Sequence, residues 1–117
     1  MANKISLGKQ GEKLAFDYLK SKGYKIIGKN LRSRFGELDI VANDHGTLVF
    51  IEVKTRTSEM FGLPIQGIDE RKQNRIKILA KRYIAEKGLI EQEVRFDFLG
   101  VLQTKKETKI ELIPNAF

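Results

Sequence analysis

Residues 37–55 read ELDIVANDHGTLVFIEVKT: two β-rich runs, Glu37–Ala42 and Thr47–Thr55, joined by Asn43-Asp44-His45-Gly46. Asn, Asp and Gly accept the backbone angles of a tight turn, so the two runs are read as a β-hairpin with His45 solvated in its turn. From Leu48 to Val53 every residue is apolar except Glu52, and a strand of that composition is normally covered on both faces. An isolated carboxylate in such a strand is costly unless it is paired, protonated or bound to a cation. Alternation sets Glu52 and Lys54 on one face and Val53 on the other. In the first run, Glu37 and Asp39 share one face while Leu38 and Ile40 take the other. Across the hairpin, Asp39 or Glu37 then faces Glu52. Directly opposed like charges destabilise a ladder, and a divalent cation reverses the sign. One or two carboxylates completed by water and a substrate phosphate are the usual holders of Mg²⁺. The competing reading is an ion pair of Glu52 or Asp39 with Lys54 on a half-exposed face.

Working outward, Leu7, Leu14, Ala15, Tyr18 and Leu19 recur at helical spacing over residues 7–19, with Ser6 as N-cap and Gly23 as stop. Tyr24–Asn30 reads as a strand running into a basic turn at Arg32, Ser33 and Arg34 that Gly36 closes. After a loop holding Gly62, Pro64 and Gly67, the set Ile76, Leu79, Ala80, Tyr83 and Ile84 marks a second helix from about Asp69 to Lys87, ended by Gly88. Glu93–Leu102 reads as another strand, and Lys109–Ile113 as a short peripheral one. The expected order is αβββαβ with a further β at the end. That order implies an α/β domain with a mixed sheet of four or five strands flanked by two main helices.

The chain has 117 residues, no cysteine and a hydrophobic fraction of 41%. This suits a single domain over residues 1–117 whose core, unaided by disulfides or zinc thiolates, carries the stability. Absence of cysteine fits a reducing, cytoplasmic setting. The N-terminal stretch is charged and lacks a continuous apolar segment, so neither a signal peptide nor a membrane span is expected there. Lysine and arginine total 22 against 15 acids, a net charge of +7, which favours a polyanionic partner. Arg32, Arg34 and Arg56 flank the ends of the acidic strands. Arg71, Lys72, Arg75, Lys77, Lys81 and Arg82 cover the polar side of the second helix, and no acid lies between Arg71 and Arg82. Pairing at i,i+4 therefore does not account for them, which makes phosphate contact by Arg32, Arg34, Arg56, Arg71, Lys72 and Arg75 the functional reading. Carboxylates gathered inside so basic a chain oppose phosphate approach unless a metal lies between them.

Asp39, followed on the next strand by Glu52-Val53-Lys54, resembles the PD-(D/E)xK pattern of restriction-endonuclease-like nucleases, with Leu38 in place of the proline. Further motifs are G-x-x-G-E at Gly8–Glu12, Gly23-Tyr24, N-x-R at Asn30–Arg32, GELDIV at Gly36–Val41, FIEVKTR at Phe50–Arg56, Phe61-Gly62 and Arg95-Phe96-Asp97. Together they are similar, along nearly the whole chain, to the uncharacterised bacterial YraN family, whose fold resembles that of Holliday-junction resolvases. The resemblance implies a restriction-endonuclease-like core and catalytic roles for Glu12, Asp39, Glu52 and Lys54. It also implies Mg²⁺ (or Mn²⁺) held by Asp39, Glu52 and the Val53 carbonyl with Glu12 through water, and a homodimer acting on branched DNA. From the residues alone, Glu12 equally suits the positive end of a helix dipole. Lys54 can orient or help deprotonate an attacking water, or be a simple counter-ion. Glu37 competes with Asp39 as ligand. Asp97 is open between a site residue and an arginine's ion-pair partner. The expected function is a Mg²⁺-dependent endonuclease acting on DNA rather than RNA. The competing function is a non-catalytic nucleic-acid-binding module that assists a DNA-processing or recombination complex.

Overall fold

Helical spacing of apolar residues and the short β-rich runs build seven elements among the described residues. In chain order they are α1 (Lys4–Ser21), β1 (Lys25–Ser33), β2 (Gly36–Asp44), β3 (Thr47–Arg56), α2 (Glu70–Lys87), β4 (Val94–Gln103) and β5 (Thr108–Ile113). The computed structural model describes residues 4–57, 68–89 and 92–117, with side chains in α1 from Gln10 onward. Phe61-Gly62 and the Gly62–Gly67 loop lie outside the described residues. The strands form one sheet in the order β1-β2-β3-β4-β5. Only β3 and β4 run parallel; β1–β2, β2–β3 and β4–β5 are antiparallel. The result is the αβββαββ, mixed-sheet α/β architecture that the periodicity implied.

Each helix covers one face of the sheet. Ala15 and Leu19 of α1 pack with Tyr24, Ile40, Ala42, Val49, Ile51, Leu99 and Val101. Ile76, Leu79 and Ala80 of α2 pack with Leu38, Val41, Leu48 and Phe50. With both faces buried, the central strand β3 can be nearly all apolar, as its sequence is. The hairpin turn places His45 at φ 51° and Gly46 at φ 96°, and the Asn43 side chain accepts from the Gly46 N–H at 2.9 Å. His45 is exposed, as a turn residue should be, with Nδ1 2.8 Å from Asp44 Oδ1.

Both helix stops fall where glycine marked them, at Gly23 (φ 89°) and Gly88 (φ 63°). The start of α1 differs from expectation. Helical backbone is present from Lys4, so Ser6 lies inside the helix and cannot be its cap, because a capping residue sits in non-helical backbone ahead of the first turn. The start of α2 is capped by Asp69, whose carboxylate accepts from the Lys72 N–H at 2.9 Å. Asp69→Ala is expected to lower stability by about 1 kcal/mol, read as a lower urea midpoint at unchanged slope. An unchanged midpoint would mean that the cap carries no stability.

Candidate active site

The sheet forks at one end. Cα pairing of β2 with β3 runs from Asp44↔Thr47 to Ile40↔Ile51 and stops there, although β1 continues to pair with β2 down to Ser33↔Gly36. The side-chain alternation expected over residues 37–40 also breaks at this point. Leu38 joins the core beneath α2, whereas Ile40 joins the core beneath α1, so the two do not share a face. A strand leaving its ladder is no longer held to the strict pleat that alternation assumes. Asp39 sits at this break. Its Oδ2 accepts from the backbone N–H of Val53 at 2.9 Å, which bridges the fork by a side chain where the ladder has ended.

Glu52 is 6% exposed and Lys72 Nζ of α2 lies 2.6 Å from its Oε1. Asp39 and Glu52 line one cleft of about 240 Å³ with Gly36, Glu37, Lys72, Arg75, Ile76 and Leu79. Burial, and then the Glu52 charge, push the Asp39 carboxyl up to about 7, with Glu37 adding to the rise and the Val53 N–H opposing it. Two carboxylates crowded in a low-dielectric cleft cannot both ionise freely. Glu37, the rival to Asp39, also lines this cleft, but its carboxylate is 3.4 Å from Arg32 Nε. Asp39 is therefore the acid fastened to the Glu52 strand. Burial holds the Lys54 ammonium below the ordinary lysine range, and the nearby Lys72 and Arg56 charges lower it further.

Glu12 approaches from α1. A Cβ at Gly11 would fall on the Thr55 hydroxyl, so this glycine lets α1 lie against the end of β3 and brings its successor, Glu12, near the fork. The link is Asn30, at φ 49° in β1. Its amide nitrogen is 3.3 Å from Glu12 Oε2, and in the orientation that satisfies both neighbours it donates to Glu12 and to Glu37 at 3.3 Å each. Among the described residues no three His, Cys, Asp or Glu side chains are gathered into a ready-made metal cage.

The cations are distributed unevenly. Lys72 is turned into the cleft on Glu52, Arg75 lines the same cleft, and Arg71 and Arg75 line a neighbouring one. Arg82 lies 3.9 Å from the centre of the Phe35 ring and Lys77 5.8 Å from that of Phe96. Partners on other elements thus take up part of the charge that i,i+4 pairing could not. Arg32 and Arg34 are exposed on the β1–β2 side. Among the described residues, buried Arg56 Nε has no hydrogen-bond partner.

The model of the uncharacterised protein family UPF0102 matches residues 11–101, which include Glu12, the fork and Lys54. This chain belongs to UPF0102. A UPF0102 protein of Thermodesulfovibrio yellowstonii is 48% identical over 116 residues, covering 97% of each chain. Those of Alkaliphilus metalliredigens and Caldanaerobacter subterraneus are each 45% identical, over 96% and 98% of this chain respectively and 97% of their own length. The kinship read from GELDIV and FIEVKTR is thereby borne out.

Within this UPF0102 chain, Asp97 stands apart from the cleft. Wholly buried, it bonds Arg95 Nε at 2.8 Å, the Tyr24 hydroxyl at 2.9 Å and the Asn115 N–H at 2.9 Å. Tyr24 belongs to the α1-side core, so Asp97 lies on the opposite sheet face from Glu52 and is the ion-pair partner of an arginine. Burial, with the Asp97 hydrogen bond, pushes the Tyr24 hydroxyl up to about 12. Two residues near the site were not singled out from sequence. Asn30 stood only as a motif letter, and Phe35 was passed over although an aromatic beside Arg32 and Arg34 is a recognisable signal for nucleic-acid contact.

Proposed function

We propose that this chain is a divalent-metal-dependent endonuclease that hydrolyses phosphodiester bonds in DNA, branched or otherwise structured. The observation that carries the reading is the fork, where Asp39 and Glu52 line one cleft although burial and the Glu52 charge raise the cost of ionising Asp39. The donor set fits Mg²⁺ or Mn²⁺. These hard ions take oxygen ligands, and Mg²⁺ is content with one or two carboxylates while keeping several waters, so a full cage of side chains is not required. Asp39, Glu52 and the Val53 carbonyl would hold the ion, with Glu12 reaching it through water. When bound, it would supply positive charge to the phosphate and ease deprotonation of a water placed against it.

The chain's own groups do the positioning. The Val53 N–H fixes Asp39, and Asn30 steadies Glu12 and Glu37. Lys54, partly desolvated on the strand that carries Glu52, orients the attacking water and offsets charge developing on the phosphate. Arg32, Arg34, Arg56, Arg71 and Arg75 supply backbone contacts, and Lys72 joins them once it leaves Glu52. Reversing the charge of Arg71 and Arg75 together is expected to weaken binding at least about tenfold for every DNA sequence and to flatten the salt dependence by about one unit of slope per lost phosphate contact. Unchanged affinity at low salt would place that face of α2 away from DNA.

Titration of Mg²⁺ and Mn²⁺ by calorimetry, together with cleavage of labelled duplex, single-stranded and four-way-junction DNA, tests the assignment. Metal binding accompanied by cleavage supports it and names the preferred substrate. Sedimentation of the same sample reports whether two copies act together. The 2.6 Å Lys72–Glu52 pair favours a second reading, a nucleic-acid-binding module in which an ammonium permanently takes the cation's place. No binding of either ion, with DNA still bound, would put that reading in place of the first.

A further inference from the structure

We infer that Phe35 and the cleft beside it bind an unpaired nucleobase next to the phosphate held at the Asp39–Glu52 fork, which makes the substrate a DNA with a single-stranded element. The inference rests on the nucleic-acid reading above and adds a substrate class to it.

Phe35 stands in the turn between β1 and β2, and 43% of it is exposed. The turn is fastened by Ser33, whose Oγ donates to the Gly36 carbonyl at 3.3 Å and accepts from the Phe35 N–H at 3.1 Å. Gly36, at φ 139°, approaches α2 so closely that a Cβ would lie 3.1 Å from Leu79 and 3.3 Å from Arg75. The ring is therefore presented by a turn packed on a helix. Arg82 and Arg34 lie 3.9 and 4.9 Å from its centre.

Phe35 lines a cleft of about 430 Å³ with Arg71, Asn74, Arg75, Ile78 and Leu79, a size within the range of small-ligand sites. Arg75 and Leu79 line the acidic cleft as well, so the two recesses adjoin. An aromatic ring with the Arg82 guanidinium lying over it, an apolar wall and an exposed amide make a stacking platform, of ring and guanidinium together, with a group able to bond a base edge. An exposed ring and the 58%-exposed Ile78 also invite a second copy of the chain. Charge decides against that occupant: among the described residues no acid lines this cleft, and a two-fold contact would set its arginines against their own duplicates. A nucleotide brings both an apolar face and a phosphate.

A paired base keeps its faces inside the duplex stack, so the platform can discriminate only where bases are unpaired. Fluorescence anisotropy in EDTA, with single-stranded and fully paired DNA of equal length at one salt concentration, tests this on wild type, Phe35→Ala and Phe35→Trp. Phe35→Ala should lose about ten- to a hundredfold in affinity for the single strand and less than about threefold for the duplex. Phe35→Trp should restore binding and have its fluorescence quenched by the single strand. Equal losses on both DNAs, no loss on either, or a change confined to self-association in sedimentation would each overturn the inference. Cleavage is not measured in this assay, so an enzyme that failed to cut would overturn the nuclease reading and leave this result standing. Wild-type protein that bound neither DNA would remove both.

Discussion

Glu52→Ala is expected to reduce metal-dependent cleavage by about a thousandfold or more while leaving DNA affinity unchanged or tighter. The first effect follows from deleting one of two carboxylates available to the cation; removal of a single group that stabilises a transition state already costs about a hundred- to a thousandfold, and a metal ligand positions the ion itself. The second follows from charge. Glu52 repels phosphate and holds the Lys72 ammonium at 2.6 Å, so its loss removes an anion and frees a cation in the same cleft. Single-turnover cleavage with excess enzyme, beside anisotropy in Ca²⁺ or EDTA, separates the two effects. Weaker binding with unchanged cleavage would overturn the assignment of Glu52 to the metal.

Asp39→Asn should reveal a conflict between stability and metal binding. The folded-state value of this carboxyl lies near 7 against an ordinary 3.8, through burial and then the Glu52 charge. The folded protein thus holds a proton that the unfolded chain has released over the window between about 4 and 7. Stability therefore falls as pH rises through that window, since the state with more bound protons loses ground. Asparagine can still accept from the Val53 N–H but removes the charge. The variant should be more stable than wild type at pH 8 by about 1–2 kcal/mol, match it more closely at pH 5, and no longer bind Mg²⁺. In wild type the same proton competes with the ion, so Mg²⁺ affinity should rise as pH is raised through 7. Urea denaturation in EDTA at the two pH values is decisive; a variant equally destabilised at both would show that the carboxylate is not strained.

How much of this was legible in the sequence depended on the range of the interaction. The hairpin and both helices could be read because their signals are local: Asn43–Gly46 between β-branched runs, and apolar residues at helical spacing ending at Gly23 and Gly88. The acidic pair was legible because Glu52 interrupts an otherwise apolar strand. Assigning Leu38 and Ile40 to one face failed because alternation holds only while a strand stays in its ladder, and β2 leaves β3 after Ile40. The Ser6 cap failed because a good capping residue is equally compatible with a position inside a helix that began earlier. Contacts between Lys72 and Glu52, and between Asn30 and Glu12, join residues far apart in sequence with no periodicity to announce them. Asp97 could not be assigned for the same reason, because its partners Tyr24 and Asn115 lie at opposite ends of the chain.

The Arg95–Asp97 pair has a consequence for the opposite side of the sheet. When both are ionised Asp39 and Glu52 repel each other, so their charges oppose the strand alignment that makes them neighbours. Arg95 on β4 reaches Asp44 on β2 at 2.9 Å across the intervening β3, while Asp97 beside it holds Tyr24 ahead of β1. A slip of β4 by one residue would drive the Asp97 charge into the aromatic layer of Phe50 and Tyr83 beneath α2 and strand Arg95, a penalty larger than the repulsion it would relieve. The alignment of the fork is in this sense indexed from behind, by a tight set of paired charges on the opposite face of the sheet.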